Sequence, residues 1–311
     1  MQQLSQRGQW IFGLQWTGGP LYVAHRVMPD QLEIDPKTGR ARPIQAMKHQ
    51  IWMWTMDLNL FTQLGITAWM NVRFNLPIRY VQVTARFQDE QGNILPSYAS
   101  IHHRDEILVG LGDPDLQVSF RPMTVTGRQP WLLEFGGGLS FPAGRTEADP
   151  YVAGREGREH QHVMFGTGTF DPVGFLIFGY IHPKVQLYSN ATIRAALYPN
   201  SFKFQEGIRF QGSIAAESGF GLKTWSFMFQ TSVVVKRPGY WSGVQDQEVA
   251  SGRTDLLFTL GVFWRPTANW QVALRASLPV NVQLDGESNE DELTHPVIVG
   301  FGLTYRFRLF K

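Results

Sequence analysis

Residues 296–307 read PVIVGFGLTYRF, and their alternation decides the fold. Val297, Val299, Phe301, Leu303, Tyr305 and Phe307 take the odd positions, while Pro296, Ile298, Gly300, Gly302, Thr304 and Arg306 take the even ones. Successive side chains of a strand point to opposite faces, so this stretch has one apolar, aromatic-ended face and one small or polar face. The same period recurs along nearly the whole chain, with no helical periodicity to supply a covering layer. The apolar faces are therefore predicted to meet lipid.

Outward from that stretch, the chain divides into similar segments. In 9–17, Trp10, Phe12, Leu14 and Trp16 share a face; in 49–60, Trp52, Trp54, Met56, Leu58 and Leu60 oppose Met53, Thr55, Asp57 and Asn59. After a turn at 61–65, a third strand starts at Ile66, with Met70, Val72 and Phe74 outward and Asn71, Arg73 and Asn75 inward. Pro77 is expected to bend it, because proline cannot donate to a ladder. Residues 107–121 read as one strand, followed by 131–141, 167–181, 185–197, 202–216, 221–235, 253–264, 269–283 and the closing stretch. That makes about twelve strands, an even number as in single-chain outer-membrane barrels.

The gaps sort by length. Residues 18–48, 88–106, 142–162, 236–252 and 285–294 are long, and 198–201 is a shorter member of the same set. Residues 61–65, 182–184, 217–220 and 266–268 are short. Long outer loops alternating with short periplasmic turns are the rule for transmembrane barrels, whereas a soluble sandwich has no reason to segregate loop lengths. The expected architecture is all-β, a single antiparallel barrel spanning 1–311, with 1–8 as a periplasmic tail.

Composition agrees. At 311 residues, 43% hydrophobic and 13% aromatic, with a mean hydropathy of −0.18, the chain has no run near the roughly 20 apolar residues of a spanning helix. Alternating strands escape that test, since half of each is polar. The absence of cysteine fits passage through an oxidising periplasm. A formal charge of +2 argues against nucleic acid as a partner. The opening MQQLSQRGQW has no basic region followed by an apolar one, so the chain is read as a mature or trimmed product of an exported protein.

Four blocks carry a family resemblance: GLGDPDLQVSFRP (110–122), GGGLSFPAG (136–144), GTGTFDP (166–172) and GLTYRF (302–307). In order and spacing, the chain from about Ile51 onward resembles the outer-membrane transporters of the putative MetA-pathway-of-phenol-degradation type. The resemblance implies an outer-membrane barrel and, loosely, passage of small molecules. One departure is that Arg308–Lys311 extends past Phe307, where such barrels commonly end on an aromatic residue.

Extrapolated alternation places Asp57, Arg73, Asp115, Arg121, Glu134, Arg194, Arg209, Arg253, Asp255, Arg275 and Arg306 in the lumen. An Arg or Lys on the lipid face costs about 2–4 kcal/mol near the midplane, which explains the confinement of charge to one parity. Two readings follow. Guanidinium groups can attract small polar or anionic solutes through a narrow pore. Alternatively, arginines and carboxylates pair across a small lumen and plug it, leaving a barrel that anchors envelope partners. Neither reading needs a cofactor.

Other constellations are read as structural. The glycines of 136–138 and 166–168 precede no helix that could present an N-terminus to phosphate, so close packing or strand curvature accounts for them. His102 with His103, and His160 with His162, have a metal-like spacing but no completing thiolate or carboxylate. Met47, Met53, Met56 and Met70 read as packing rather than a soft-metal path. No histidine sits beside a mid-strand serine, as an esterase-like barrel would require.

Overall fold

The computed structural model describes residues 7–26, 32–35, 37–43, 48–96, 104–123, 130–156, 158–160, 163–246, 251–284 and 292–308. Fourteen strand segments form one antiparallel sheet. They are β1 (Gln9–Arg26), β2 (Lys48–Gly65), β3 (Met70–Gln88), β4 (Glu106–Leu111), β5 (Asp115–Met123), β6 (Trp131–Ser140) and β7 (Asp171–Ile181), then β8 (Gln186–Arg194), β9 (Arg209–Ser218), β10 (Trp225–Lys236), β11 (Arg253–Trp264), β12 (Trp270–Leu284), β13 (Glu292–Thr294) and β14 (Ile298–Arg308). β4 and β5 both pair with β3, and β13 and β14 both pair with β1, so the segments make twelve staves. β1 pairs with β2 on one side and β14 on the other, which closes the barrel.

Alternation and register explain one another. Phe301, Leu303 and Tyr305 of β14 lie opposite Trp16, Leu14 and Phe12 of β1, so the apolar residues form continuous outward rows. Ile214, Leu260, Leu274, Leu187 and Phe229 are likewise exposed on that face. Beside the short turns, aromatics form a belt: Trp69 stacks on Phe120, Trp131 on Phe178, Trp225 on Trp264, and Trp270 meets Tyr305 at 4.6 Å. Such girdles mark the membrane–water interface, here at the turn side of the barrel.

Strand limits differ from the sequence reading in instructive places. β1 continues through Gly18, Gly19 and Pro20 to Arg26, where a loop is expected. The glycines there serve close approach: a Cβ on Gly19 would lie 2.3 Å from the Val297 carbonyl oxygen, and one on Gly18 would lie 2.8 Å from that of Thr55. The first turn falls at 66–69 instead of 61–65, because β2 stays paired with β3 down to Gly65 opposite Asn71. Pro77 lies within β3 without ending it, opposite Asn59.

The expected strand 107–121 is broken at 112–114. Ile78 pairs with Leu111 but Asn75 pairs with Asp115, so one extra residue is inserted opposite β3. A bulge of that kind reverses the facing of everything beyond it. Ile107, Val109 and Leu111 face out above the break, while Leu116 faces out below it.

The long connections carry structure of their own. Leu32–Ile34 pairs with Ala41–Pro43, and Pro150–Arg155 forms one helical turn and a half. Phe204–Gln205, Tyr240–Trp241 and Val244–Gln245 make a small sheet above the barrel. Towards the long-loop end the faces of β3 become mixed: Val81 and Val83 turn inward with Ile51 of β2, while Gln82 lies on the outer face between Trp54 and Ile107.

The facing assignment predicts that Ile214→Arg, at a lipid-facing mid-strand position with 70% exposure, loses about 2–4 kcal/mol. Asn190→Arg, one row away on the inner face, should be tolerated. Heat-modifiable gel migration of the two refolded variants is the check, and equal damage would contradict the assignment.

Candidate functional site: the lumen and its inserted loop

Inward positions near the turn side hold the first network. Arg265 ion-pairs with Glu217 at 2.7 Å, donates to the Ser226 hydroxyl at 2.7 Å and to the Gln271 amide oxygen at 3.1 Å. Arg265 and Arg275 both lie over the buried Phe263 ring, at 5.3 and 5.5 Å. Neither Arg275 nor Arg306 has a carboxylate within ion-pairing distance among the described residues.

A second network crosses β3, β5 and β6. Arg121 meets Glu134 at 2.9 Å, both fully buried. Arg73 lies 4.2 Å over the Phe61 ring and donates through Nε to Asn75 Oδ1 at 2.8 Å. The Asn75 and Gln117 amides each donate to Asp115 at 2.7 Å. Phe61 occupies the space above Gly13, where a Cβ would come within 2.1 Å of the ring. Higher up, Asp57 pairs with Arg79 at 3.0 Å.

The third network was not legible in advance, and it is the densest. Arg194 donates through Nε to Asp171 at 3.0 Å and through Nη2 to Asp113 at 3.2 Å and to the Ser140 hydroxyl at 2.6 Å. Asp113 also accepts from the Gly144 and Thr167 backbone N–H groups, each at 2.8 Å. Thr167 Oγ1 reaches Asp171 at 2.9 Å, and Thr169 Oγ1 donates to it at 2.5 Å. Charge-assisted bonds of this type are about twice as strong as neutral ones. Three of the four motif blocks thus converge on one knot. Parity over the expected strand 107–121 puts Asp113 on the face of Asp115 without distinguishing it, and the irregular pattern of 167–181 assigns Asp171 no face.

The knot folds the 141–170 connection into the barrel. Gly166 has no room for a Cβ, which would lie 2.2 Å from Asp113 Oδ1, and Gly168 takes a φ of +74°. These glycines serve close approach and a left-handed turn. The held segment delivers Phe165 into an apolar cluster with Leu21, Val23, Ile51, Val81, Val83, Leu108 and Leu293. Arg79 donates to the Phe165 carbonyl oxygen at 3.3 Å.

Arg209 and Arg253 belong to a further feature. Arg194 pairs with Arg209, Arg209 with Lys236, and Lys236 with Arg253, so four cations stand in one cross-strand row. Lys236 meets Glu206 at 2.9 Å and Arg253 meets Asp255 at 3.1 Å. In the sequence Lys236 stands at the start of an expected outer loop and Arg265 just past a strand end, so neither stands out there.

Among the described residues, no group of three acidic or His side chains could hold a metal. His102, His103 and His162 lie outside the described residues, as do 309–311. His160 Nδ1 sits 3.0 Å from the Arg158 carbonyl oxygen.

A closed twelve-stave antiparallel barrel, lipid-facing outside and polar inside, defines the class: a transmembrane β-barrel of the bacterial outer-membrane type. Among solved structures the chain is similar to an outer-membrane channel from Pseudomonas putida F1, with a TM-score of 0.62, 12% identity and 97% of each chain covered. It also overlays on the monoaromatic hydrocarbon channel TodX, as a mutant, at a TM-score of 0.47 with 7% identity, covering 98% of this chain and 91% of that one. A FadL homologue from Pseudomonas aeruginosa follows at 0.43, with 8% identity and coverage of 97% and 91%. The first establishes the fold, and the other two add nothing to it. No protein-family model matches the chain, and neither does any curated protein.

Removing the central acceptor should release the inserted segment. Asp113→Ala leaves the Arg194 charge short of one partner and two backbone donors unbonded, a loss of about 3 kcal/mol or more. Trypsin should then cut the folded barrel after Arg145 or Arg158 at least tenfold faster, with heat-modifiable migration retained. An unchanged cleavage rate would show that the knot does not hold the loop.

Proposed function

We propose that the chain is a passive channel for small solutes across a bacterial outer membrane, with a lumen that leans towards anions. The observation carrying this reading is the balance of inward charge. Most inward cations have a carboxylate partner, but Arg73, Arg209, Arg275 and Arg306 have none within ion-pairing distance among the described residues; against these four, Asp115 is held by amides alone and Arg194 is shared between Asp113 and Asp171, so the balance stays positive. Fixed charge of one sign along a pore raises the local concentration of the opposite ion. The inward residues predicted from sequence, apart from the buried Arg121 and Glu134, are with Lys236 and Arg265 the proposed solute contacts. The likeness to an outer-membrane channel supports passage. The three blocks that resemble the phenol-degradation transporter type meet at the Arg194 knot, and the solutes of that type do not carry over.

A second reading rests on the buried Phe165 cluster, which fills part of the outer lumen. On that reading the barrel is plugged and serves as an anchor for envelope partners. Single-channel recording of the refolded protein in a planar bilayer separates the two. Steady conductance with an anion-side reversal potential in a salt gradient is expected. Arg275→Ala and Arg306→Ala should each move that potential towards the cation side. A folded but silent barrel would favour the anchor.

A further inference from the structure

We infer that the row Arg194, Arg209, Lys236 and Arg253 is a binding site at the outer mouth for a multivalent tetrahedral oxyanion of the phosphate class, with Arg209 as its main contact. The inference rests on the channel reading for its role in transport, but not for the binding itself.

Residues directly opposite one another on adjacent strands share a face and sit about 5 Å apart, and like charges there are destabilising. Four cations in succession therefore oppose folding unless something compensates them. Three are compensated from outside the row: Arg194 by Asp113 and Asp171, Lys236 by Glu206, and Arg253 by Asp255. Arg209 stands between two of these cations and makes no hydrogen bond or ion pair among the described residues. Its side chain is open to the lumen. Glu206 lies near it as well but is held by Lys236 at 2.9 Å. A position selected for stability alone would carry a neutral polar side chain, as Gln211 does two residues on.

The donor arrangement selects the ligand class. A carboxylate is planar and is satisfied by one bidentate guanidinium. The row instead offers donors side by side from four adjacent staves, which suits an ion with oxygens in several directions and more than one charge. The location fits capture from outside. Arg194, Arg209, Lys236 and Arg253 are each the outermost residue of their strands, so the row rims the long-loop end of that wall, beneath the small loop sheet.

The test uses inorganic phosphate on the refolded full chain. Added at the outer side in chloride electrolyte, phosphate should lower or interrupt the single-channel current. Arg209→Gln should raise the phosphate concentration needed by at least tenfold, the loss expected for a charged hydrogen bond. Lys223→Gln, in an exposed turn on the far side, should leave both conductance and block unchanged. A conducting protein indifferent to phosphate, or block undiminished in Arg209→Gln, would overturn the site while leaving the channel standing. If the wild type is silent, titration calorimetry of the detergent-folded barrel decides the matter. Phosphate heat that is lost in Arg209→Gln supports the site, and absence of heat overturns it.

Discussion

The structure depends on one constraint: in hydrocarbon, no backbone N–H or C=O can go without a partner. An open sheet would leave an edge unpaired at several kcal/mol per group, so an alternating chain in a membrane has to close on itself. Closure is achieved by the first and last staves, with ten paired positions between Gln9–Gly18 and Val299–Arg308. Much else follows from that seam. Gly18 and Gly19 are small because β14 hands over to β13 beside them, and the aromatic belt forms because every short turn ends at the same interface.

Inside, closure creates a different problem. A small barrel brings opposing walls close, and inward polar groups that lose water need partners. The three networks answer it with Arg–carboxylate pairs drawn from different staves, supplemented by amides and hydroxyls. Such pairs are weak evidence of net stability, since burial costs roughly what pairing returns. Their better-supported role here is positional: Arg194, Asp113 and Asp171 hold the 141–170 connection inside the wall. The unpaired cations stand apart from this economy, and for that reason they carry the functional argument.

The barrel was legible in sequence because a two-residue period survives any local context. The stave number and the separation of long from short connections could be read from Trp10–Trp16, Val299–Phe307 and their equivalents. Strand ends could not, where glycine and proline served packing: Gly18, Gly19 and Pro20 looked like a loop and lie in a strand. The knot could not be read either. Its members come from 113, 140, 167–171 and 194, and only register brings them together. The motif blocks marked its pieces without saying that they touch. The cationic row hid for a related reason, since Lys236 sat at an assumed boundary and cross-strand neighbours leave no trace in a single chain.

The bulge at 112–114 has one more implication, best put in terms of reading frame. A strand in lipid has two frames, and a one-residue insertion switches every later side chain between oil and water. The fourth stave contains such a switch by construction, with one frame above the break and the other below. It is therefore the place in that wall where length changes can be absorbed without turning a stave inside out. The acidic residue beside that joint, Asp113, is also the one that ties down the neighbouring connection through Gly144 and Thr167.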